Sequence, residues 1–583
     1  MLGDALLPMP TDLHSTRAIH TFEVEQHSLS KRKGITRLTV EIPTSSSSKT
    51  QQKFSTQPSR WRTPEFMLYG VVFAIVIPMM CWIPIQLSST SHKNHGLYSS
   101  RLSQGWLFGR QVDVSDAQYR SFRNNLPILS ALVLVFLALK QLYLLVLQQA
   151  APAQRTDRLH LVPFLLTFSL VMLTALHGTS ILKMAVILSL NYAIAKSCRG
   201  SKLAPLLAWV FNGGVLFANE WGEGYRFGNI HPGLQSWDHW EGIYPRWHII
   251  FNITMLRLVS FNMDYYWACN GTRTAETGQA LAYKQRISVA HPLELYSFHN
   301  YLAYIVYPPL YIGGPIITFN DFIWQLRRPL QIPLRDTLGY LARFAICTLT
   351  MEFILHYMYM VAIKDTKAWY GDTVGELSMI GFWNLIIVWL KLLIPWRFFR
   401  LWALLDGIDP PENMVRCMAN NYSALGFWRS WHRSYNLWIV RYIYIPLGGT
   451  KNSIFTTVLI FSFVALWHDL SFTLLAWGWL VSLFILPEIA ARYLLPSSKY
   501  ESRPWYRHLC AIGAVFNILM MMTANLVGFV VGTDGITYLL SRIFSGWEGI
   551  SFMCFTCSCL FVGVQVMFEY REEEMRRGIY RRC

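Results

Sequence analysis

Long apolar segments alternate with polar connections along most of the chain. A helix needs about 20 apolar residues to cross the hydrocarbon core of a bilayer. The segments that approach or exceed that length are 66–87, 126–148, 159–177, 180–196, 203–219, 338–363, 380–400, 454–468, 471–490, 508–531 and 549–569. This pattern predicts an all-α, polytopic integral membrane protein with about 10–12 transmembrane or re-entrant helices.

One apolar stretch, 454–487, is too long for a single span and too short for two full spans with a loop. We therefore predict two shorter helices with a break near Trp467-His468-Asp469-Leu470-Ser471. Backbone breaks at membrane depth occur only where protein or a water-filled cavity shields the freed polar groups.

Three further segments are rich in aromatic residues but also contain Arg, His, Asn or Asp: 246–268, 296–328 and 414–445. Such segments are typical of interfacial or re-entrant helices. In the second of them, Pro308-Pro309 and Gly313-Gly314-Pro315 must break the helix.

The two ends of the chain differ from its middle. Residues 1–60 are polar, basic and rich in Ser and Thr, which predicts a disordered tail. Residues 61–570 are predicted to form the membrane domain. Residues 571–583 are predicted to form a basic tail, and we expect it in the cytosol because Lys and Arg accumulate there.

The composition indicates that lipid solvates much of the protein. Hydrophobic residues make up 53% and charged residues 15% of the sequence, whereas soluble domains carry roughly 25% charge. The net charge is +17, but the basic residues lie mostly between apolar segments, where they set orientation and meet anionic headgroups. We therefore expect membrane lipids as partners and no nucleic acid.

His468 is the first candidate for chemistry, because an ionisable residue between apolar helices is costly in a membrane and usually functional. Acyl transfer from a thioester to a hydroxyl needs a general base that titrates near neutral pH, as histidine does. The alternative is a helix-end histidine that reaches the headgroups, since 454–468 could form a short span. Asp469 points about 100° away on a helix, so we expect it to cap the helix end.

A second candidate group lies in 418–442. Apolar residues recur there every three or four positions, which predicts one amphipathic helix. Arg429, His432 and Asn436 fall on another face of that helix. This face could bind an anion, polarise a carbonyl or orient another group, or it could simply meet phospholipid headgroups.

The sequence contains no Gly-x-Ser-x-Gly elbow and no cysteine set beside a histidine. Those arrangements would favour a covalent acyl-enzyme. Cys554 and Cys557 form a CxxC in an apolar segment, but no second cysteine pair or histidine stands at metal-ligand spacing. We therefore predict direct transfer in a ternary complex, with histidine as base and with no metal or cofactor.

Several strings resemble the signature of the membrane-bound O-acyltransferase family. They are Phe427-Trp-Arg-Ser-Trp-His432-Arg-Ser-Tyr-Asn-Leu-Trp, Arg441-Tyr-Ile-Tyr-Ile-Pro446-Leu-Gly-Gly449 and Leu466-Trp467-His468, with earlier motifs at 257–264 and 308–322. Together they give a motif core of about 250–490. The resemblance implies helices around a transmembrane tunnel, with His468 deep inside it and His432 as a second catalytic or orienting group.

Within that family the chain is most similar to the fungal glycerol-uptake branch, which resembles hedgehog acyltransferases. This similarity implies transfer of a long acyl chain from acyl-CoA to a lipid hydroxyl. The expected acceptor is the sn-2 hydroxyl of a lyso-glycosylphosphatidylinositol (lyso-GPI) anchor on a protein, or a lysolipid. The expected location is the endoplasmic reticulum membrane, with the plasma membrane as an alternative.

The expected roles follow from this reading. His468 would act as the base, and His432 with Asn436 would orient the acceptor or stabilise the oxyanion. Arg429 and Arg433 would hold phosphates of donor or acceptor.

Three other functions stay open. A proton-coupled glycerol or polyol transporter would also place His and Asp in the membrane, although no internal repeat is evident. A hedgehog-acyltransferase-like enzyme would palmitoylate a protein amine, but animal enzymes of that kind tend to carry Asp where this chain has His432. A non-enzymatic scaffold would tolerate loss of His468.

Overall fold

The computed structural model describes residues 58–150, 157–271, 283–449, 453–468, 471–577 and 579. The described residues are almost entirely helical, which confirms the predicted fold class. The helices of six or more residues are α1 Pro64–Leu87, α2 Ala117–Ala150, α3 Val162–His177, α4 Ile181–Cys198, α5 Leu203–Trp221, α6 Trp247–Cys269, α7 Tyr283–Ser288, α8 Phe298–Ile305, α9 Phe319–Arg327, α10 Leu334–Tyr357, α11 Met360–Asp365, α12 Val374–Asp406, α13 Ala424–Ser430, α14 Arg433–Ile439, α15 Ser453–His468, α16 Phe472–Leu494, α17 Pro504–Phe529, α18 Gly532–Phe544 and α19 Trp547–Arg576.

Shorter elements join these helices. One strand pair, β1 Leu102–Gln104 with β2 Gln111–Asp113, forms an antiparallel hairpin. The short helical turns are His95–Tyr98, Ser99–Arg101, Leu159–Leu161, Gly178–Ser180, Phe227–Ile230, Pro232–His239, Leu293–Leu295, Pro308–Tyr311, Val440–Tyr444 and Ser497–Tyr500.

Eight helical segments among the described residues are long and apolar enough to cross a membrane. One of them, Leu159–Cys198, folds back at Gly178–Ser180 into the hairpin of α3 and α4. The shorter apolar helix Phe455–His468 adds to this set. Each apolar segment predicted from the sequence overlaps a helix, although 338–363 is interrupted at Met358 and Tyr359 and 508–531 runs two residues past the end of α17.

The helix ends gather on two opposite faces of the bundle. The hairpin face carries the connections 88–116, 178–180, 222–246 and 366–373. The terminal face, on the other side, carries residues 58–63, where the Arg60 backbone N–H donates to Glu569 near the end of α19 (2.9 Å). The start of α1 and the end of α19 therefore lie side by side.

Helix α5 shows how periodicity separates the protein side from the lipid side. Its buried residues are Ala204, Ala208, Asn212, Leu216 and Asn219. Its exposed apolar stripe, which faces lipid, consists of Leu203, Leu206, Leu207, Val210, Phe217 and Trp221. Both sets recur every three or four residues, as an amphipathic helix requires.

Residues 246–268 were predicted to be interfacial or re-entrant, and that prediction is wrong. They form α6, most of which is buried inside the bundle. The two charged residues of α6 have partners within the protein: Asp264 accepts from Arg441 (2.8 Å) and Tyr442 (3.0 Å), and Arg257 donates to the Ile305 carbonyl (2.8 Å). These internal partners remove the need for contact with headgroups.

Residues 296–328 form a re-entrant segment, as predicted. The Tyr296 carbonyl accepts from Tyr192 (3.2 Å), and the Leu326 carbonyl accepts from the Arg158 backbone (2.6 Å), so both ends lie towards the terminal face. Between them Tyr311 reaches His177 at the far end of α3 (3.0 Å). The prolines and glycines break the helix where the segment turns back.

Residues 418–442 do not form the single helix that their periodicity predicts. The chain breaks between α13 and α14, where His432 adopts a left-handed backbone conformation with φ 44°. Trp431 pairs instead with Met414 in an isolated antiparallel bridge. Tertiary backbone pairing therefore overrides the helical period at this point.

The predicted break within 454–487 is confirmed, because α15 ends at His468 and α16 begins at Phe472. Asp469 lies outside the described residues, as does the predicted tail over residues 1–57. At the other end, α19 continues through the start of the predicted basic tail as far as Arg576, which pairs with Glu569 (2.5 Å).

Candidate active site

One cavity of about 3010 Å³ runs through the bundle and brings the candidate residues together. His468, His432, Asn436 and Arg429 all line it. Arg433 does not line it; its backbone N–H donates to the Asn413 carbonyl (3.0 Å). Four of the five predicted site residues thus share one space, although they come from three separate helices and the break between two of them.

The backbone of His432 is held from one side by Asn413. The Ser434 N–H donates to the Asn413 side-chain oxygen (3.2 Å), next to the Arg433–Asn413 backbone bond. Asn413 is fully buried. These bonds hold His432 in its left-handed conformation, which is unfavourable for a residue with a β-carbon.

The imidazole of His432 packs against two aromatic rings. The Trp396 indole of α12 stacks on it in parallel, at 4.7 Å between ring centroids and 10° between planes. The Tyr435 ring packs nearby at 5.3 Å, tilted by 41°. Both neighbours line the cavity, and the stack with Trp396 covers one face of the His432 ring.

His468 ends α15 and is linked to His432 by a continuous series of ring contacts. Tyr435 contacts Trp467 at 4.7 Å, and Trp467 contacts His468 at 4.8 Å. The Trp467 indole also donates to the Asn252 carbonyl of α6 (3.4 Å). The two histidines lie within electrostatic range of one another.

Arg429 is positioned by the start of α13. The Ser423 hydroxyl caps that helix by accepting from the Gly426 N–H (2.9 Å), and it donates to Glu488 of α16 (2.6 Å). Glu488 also accepts from the Leu425 N–H (3.3 Å). A buried carboxylate on a membrane span thus fastens the helix that carries Arg429.

The motif strings that are distant in sequence meet at Asp264. Besides Arg441 and Tyr442, this carboxylate accepts from the backbone N–H of Asn320 (3.1 Å). It therefore joins α6, the re-entrant segment and the turn Val440–Tyr444 that follows α14. After this junction Gly448 and Gly449 both take positive φ values, 96° and 58°, and turn the chain.

Some residues of the site carry no sequence signal that we used. Trp396 belongs to a long apolar helix and looks like any lipid-facing tryptophan, and Asn413 lies in a polar connection. Cys417 also lines the cavity. Only the folded chain brings Trp396 and Asn413 beside His432.

The arrangement offers two imidazoles, an amide and a guanidinium in an otherwise mainly apolar cavity. A neutral imidazole can take a proton from a hydroxyl, and nearby N–H donors can stabilise developing negative charge. The apolar walls suit acyl chains. Fold and site together define a polytopic membrane protein with a large, mainly apolar cavity that contains two histidines.

Comparison with known sequences identifies the family. The model of the MBOAT, membrane-bound O-acyltransferase family, matches residues 207–533, more than half of the chain. The chain belongs to the membrane-bound O-acyltransferase family.

Close relatives are fungal. The membrane-bound O-acyltransferase GUP1 of Saccharomyces cerevisiae is 47% identical over 542 residues, covering 91% of this chain and 95% of the relative. The gup1 protein of Schizosaccharomyces pombe is 42% identical and covers 93% and 94%. The protein-cysteine N-palmitoyltransferase HHAT of Mus musculus is 28% identical over 279 residues, covering 43% and 54%.

Proposed function

We propose that this protein transfers a long acyl chain from acyl-CoA to a lipid hydroxyl within the membrane. The acceptor is the sn-2 hydroxyl of a lyso-GPI anchor on a protein, and the enzyme works in the endoplasmic reticulum membrane. The observation that carries the proposal is that His468, His432, Asn436 and Arg429 line one large apolar cavity. Family membership and the fungal relatives support the reaction class.

In this proposal His468 removes the proton of the acceptor hydroxyl. The oxygen attacks the thioester carbonyl, the carbon–sulfur bond breaks, and the CoA thiolate leaves and takes up a proton. His432 and Asn436 donate hydrogen bonds to the carbonyl oxygen as it becomes negative. No covalent bond forms between the acyl group and the enzyme.

The arginines have separate roles in the proposal. Arg429 lines the cavity and meets a phosphate of donor or acceptor, because a guanidinium binds phosphate oxygens through paired N–H groups. Arg433 was predicted to act in the same way, but its side chain does not line the cavity. We assign it a part in holding the backbone beside His432.

The experiment is acyl transfer by purified protein in detergent, with labelled long-chain acyl-CoA and a lyso-GPI-anchored protein. His468→Ala should lower kcat roughly 100-fold or more, since a general base contributes at least that much. His299→Ala is the matched control, because His299 is exposed and does not line the cavity.

The acyl-transfer assay can give three outcomes, and each decides a different part of the proposal. Transfer by wild type and the control but not by His468→Ala supports enzyme, donor, acceptor and base together. Equal transfer by all three proteins removes His468 as base. Absence of transfer by wild type removes this acceptor, and flux of a labelled polyol into proteoliposomes without acyl-CoA would then favour a transporter.

A further inference from the structure

The connection between α5 and α6 on the hairpin face exposes large apolar side chains. Trp221 is 90% exposed and Ile243 is 72% exposed. We call this set the apolar lip; its members are Trp221, Ile230, Trp237, Trp240, Ile243 and Tyr244. Apolar side chains of this size are rarely left in water as a group.

The apolar lip is held in place by hydrogen bonds to the α3–α4 hairpin. Thr179, in the turn of that hairpin, donates from its hydroxyl to the Trp237 carbonyl (2.6 Å) and from its backbone N–H to the Trp240 carbonyl (3.0 Å). The Ile243 N–H donates to the carbonyl of Ala175 (3.0 Å). The lip is therefore a defined structure at the end of two membrane helices.

The apolar lip continues a surface that already faces lipid. Trp221 is the last member of the exposed apolar stripe of α5, one turn beyond Phe217. Tryptophan and tyrosine favour the boundary between hydrocarbon and headgroups, where the ring is buried and its polar edge stays wet. Because the lip continues this lipid-facing stripe, we infer that the headgroup layer of the bilayer, rather than a partner protein, covers the lip.

The same segment also borders the catalytic cavity. Ile243, Tyr244 and Arg246 line the cavity that contains His468, and Glu220 at the end of α5 lines it too. The mouth at this point therefore combines apolar walls with one cationic and one anionic side chain. Such a mouth matches a lipid whose chains stay in the bilayer while its charged headgroup lies at the surface.

We propose that the apolar lip lies in the headgroup layer and forms the entrance through which the lipid-borne acceptor reaches His468. Arg246 meets the headgroup phosphate of that acceptor at the mouth. The placement of the lip stands on its own geometry, whereas its role in admitting the acceptor rests on the proposed function.

The first test measures the depth of the lip without using activity. An environment-sensitive fluorescent amino acid replaces Ile243 in protein reconstituted into phosphatidylcholine vesicles, and the same amino acid at Leu206 of α5 gives a hydrocarbon reference. We expect lipids spin-labelled at the headgroup to quench position 243 more strongly than lipids labelled at mid-chain, with the reverse order at 206. Quenching of position 243 by aqueous iodide alone would overturn the placement, as would absence of quenching by either, which indicates a protein partner.

The second test follows the acceptor itself. A diazirine-bearing lysophosphatidylinositol is photo-crosslinked to the His468→Ala variant, so that no turnover is needed. We expect crosslinks in peptides containing residues 243–246, and a loss of most of them in the variant that also carries Arg246→Glu. Crosslinks confined to other parts of the chain would contradict the proposal that the acceptor enters at the lip.

The third test uses kinetics and separates the two proposals. Ile243→Asp should raise the KM for the lipid-borne acceptor several-fold and leave the KM for acyl-CoA unchanged. Phe108→Asp is the control, since Phe108 is 86% exposed in the β1–β2 connection but does not line the cavity. Equal effects of both variants would contradict the role of the lip as the acceptor entrance. An inactive wild-type protein would contradict the proposed function. Quenching and crosslinking would still test where the lip lies and whether the lipid reaches it.

Discussion

At the residue scale, the site is defined by how firmly His432 is held. Its backbone is fixed through Asn413 and its ring is stacked on Trp396, so the imidazole cannot swing as a proton shuttle would. A fixed ring fits the role that we propose for His432, which is to donate one directed hydrogen bond. His468 lies at a helix end without such a stack, which fits its proposed role in proton transfer.

The stack can be tested by changing Trp396. Trp396→Leu should lower kcat on the order of 10-fold, because small displacements of a catalytic group are costly, whereas Trp396→Phe keeps an aromatic face and should retain most activity. The measurement is steady-state transfer in a double-mutant cycle with His432→Ala. In that background Trp396→Leu should have no further effect, and additive losses would show a merely structural role.

Trp383 provides the control for this cycle. It lies on the same helix, α12, and its indole donates to the Met80 carbonyl (2.8 Å), but Trp383 does not itself line the cavity. Trp383→Leu should reduce stability and activity without any dependence on His432.

Cys417 allows a test of direct transfer. It lines the cavity, and a covalent mechanism would need such a thiol. We expect Cys417→Ser to keep kcat within about two-fold of wild type, since the change is nearly isosteric and the predicted mechanism forms no acyl-enzyme. Loss of transfer together with a trapped thioester on wild type, seen by mass spectrometry, would contradict direct transfer.

At the element scale, Glu488 connects a membrane span to the short helix that leads to His432. Removing it leaves the Ser423 hydroxyl and the Leu425 N–H without their acceptor, and each buried unsatisfied group costs about 1–3 kcal/mol. Glu488→Leu should therefore lower the midpoint of thermal unfolding in detergent and reduce transfer. Glu488→Gln, which keeps an acceptor oxygen, should lie between Leu and wild type.

Arg492 is the matched control at this position. It pairs with Glu488 (2.5 Å), but its side chain is half exposed, and exposed ion pairs contribute little. Arg492→Ala should leave the unfolding midpoint nearly unchanged. A loss equal to that of Glu488→Leu would mean that the ion pair, rather than the helix anchor, stabilises this region.

The elements also show what the sequence could and could not predict. Apolar length located the membrane helices, and the prolines and glycines of 308–315 located the re-entrant turn, because those signals are local. The break at His432 had no local signal: no Gly or Pro stands between 427 and 445, and the left-handed residue is held by bonds to a distant segment. His432 and His468 line the same cavity because of tertiary packing, which cannot be read from their spacing in the sequence.

At the scale of the whole molecule, the two faces differ in charge. Connections on the terminal face are short and dense in basic residues, among them Arg60, Arg62, Arg158, Arg199, Lys202, Arg328, Lys499, Arg503 and Arg577. Those on the hairpin face are longer and mix basic with acidic residues. From the positive-inside rule we therefore predict that the terminal face lies in the cytosol.

This orientation makes a direct prediction for the tails. Epitopes placed before residue 58 and after residue 577 should both be digested by protease added outside sealed microsomes, whereas an epitope in the β1–β2 connection should be protected until detergent is added. Protection of either terminal epitope alone would contradict the side-by-side arrangement of α1 and α19.

The contact between Arg60 and Glu569 has a consequence for biosynthesis. The ribosome delivers α1 first and α19 last. Helix α1 can pack against α12, where Trp383 donates to the Met80 carbonyl (2.8 Å), as soon as α12 has been made. Its contact with α19 has to wait until nearly the whole chain has been synthesised. One side of α1 therefore stays exposed to lipid and to the quality-control machinery until the last span is complete.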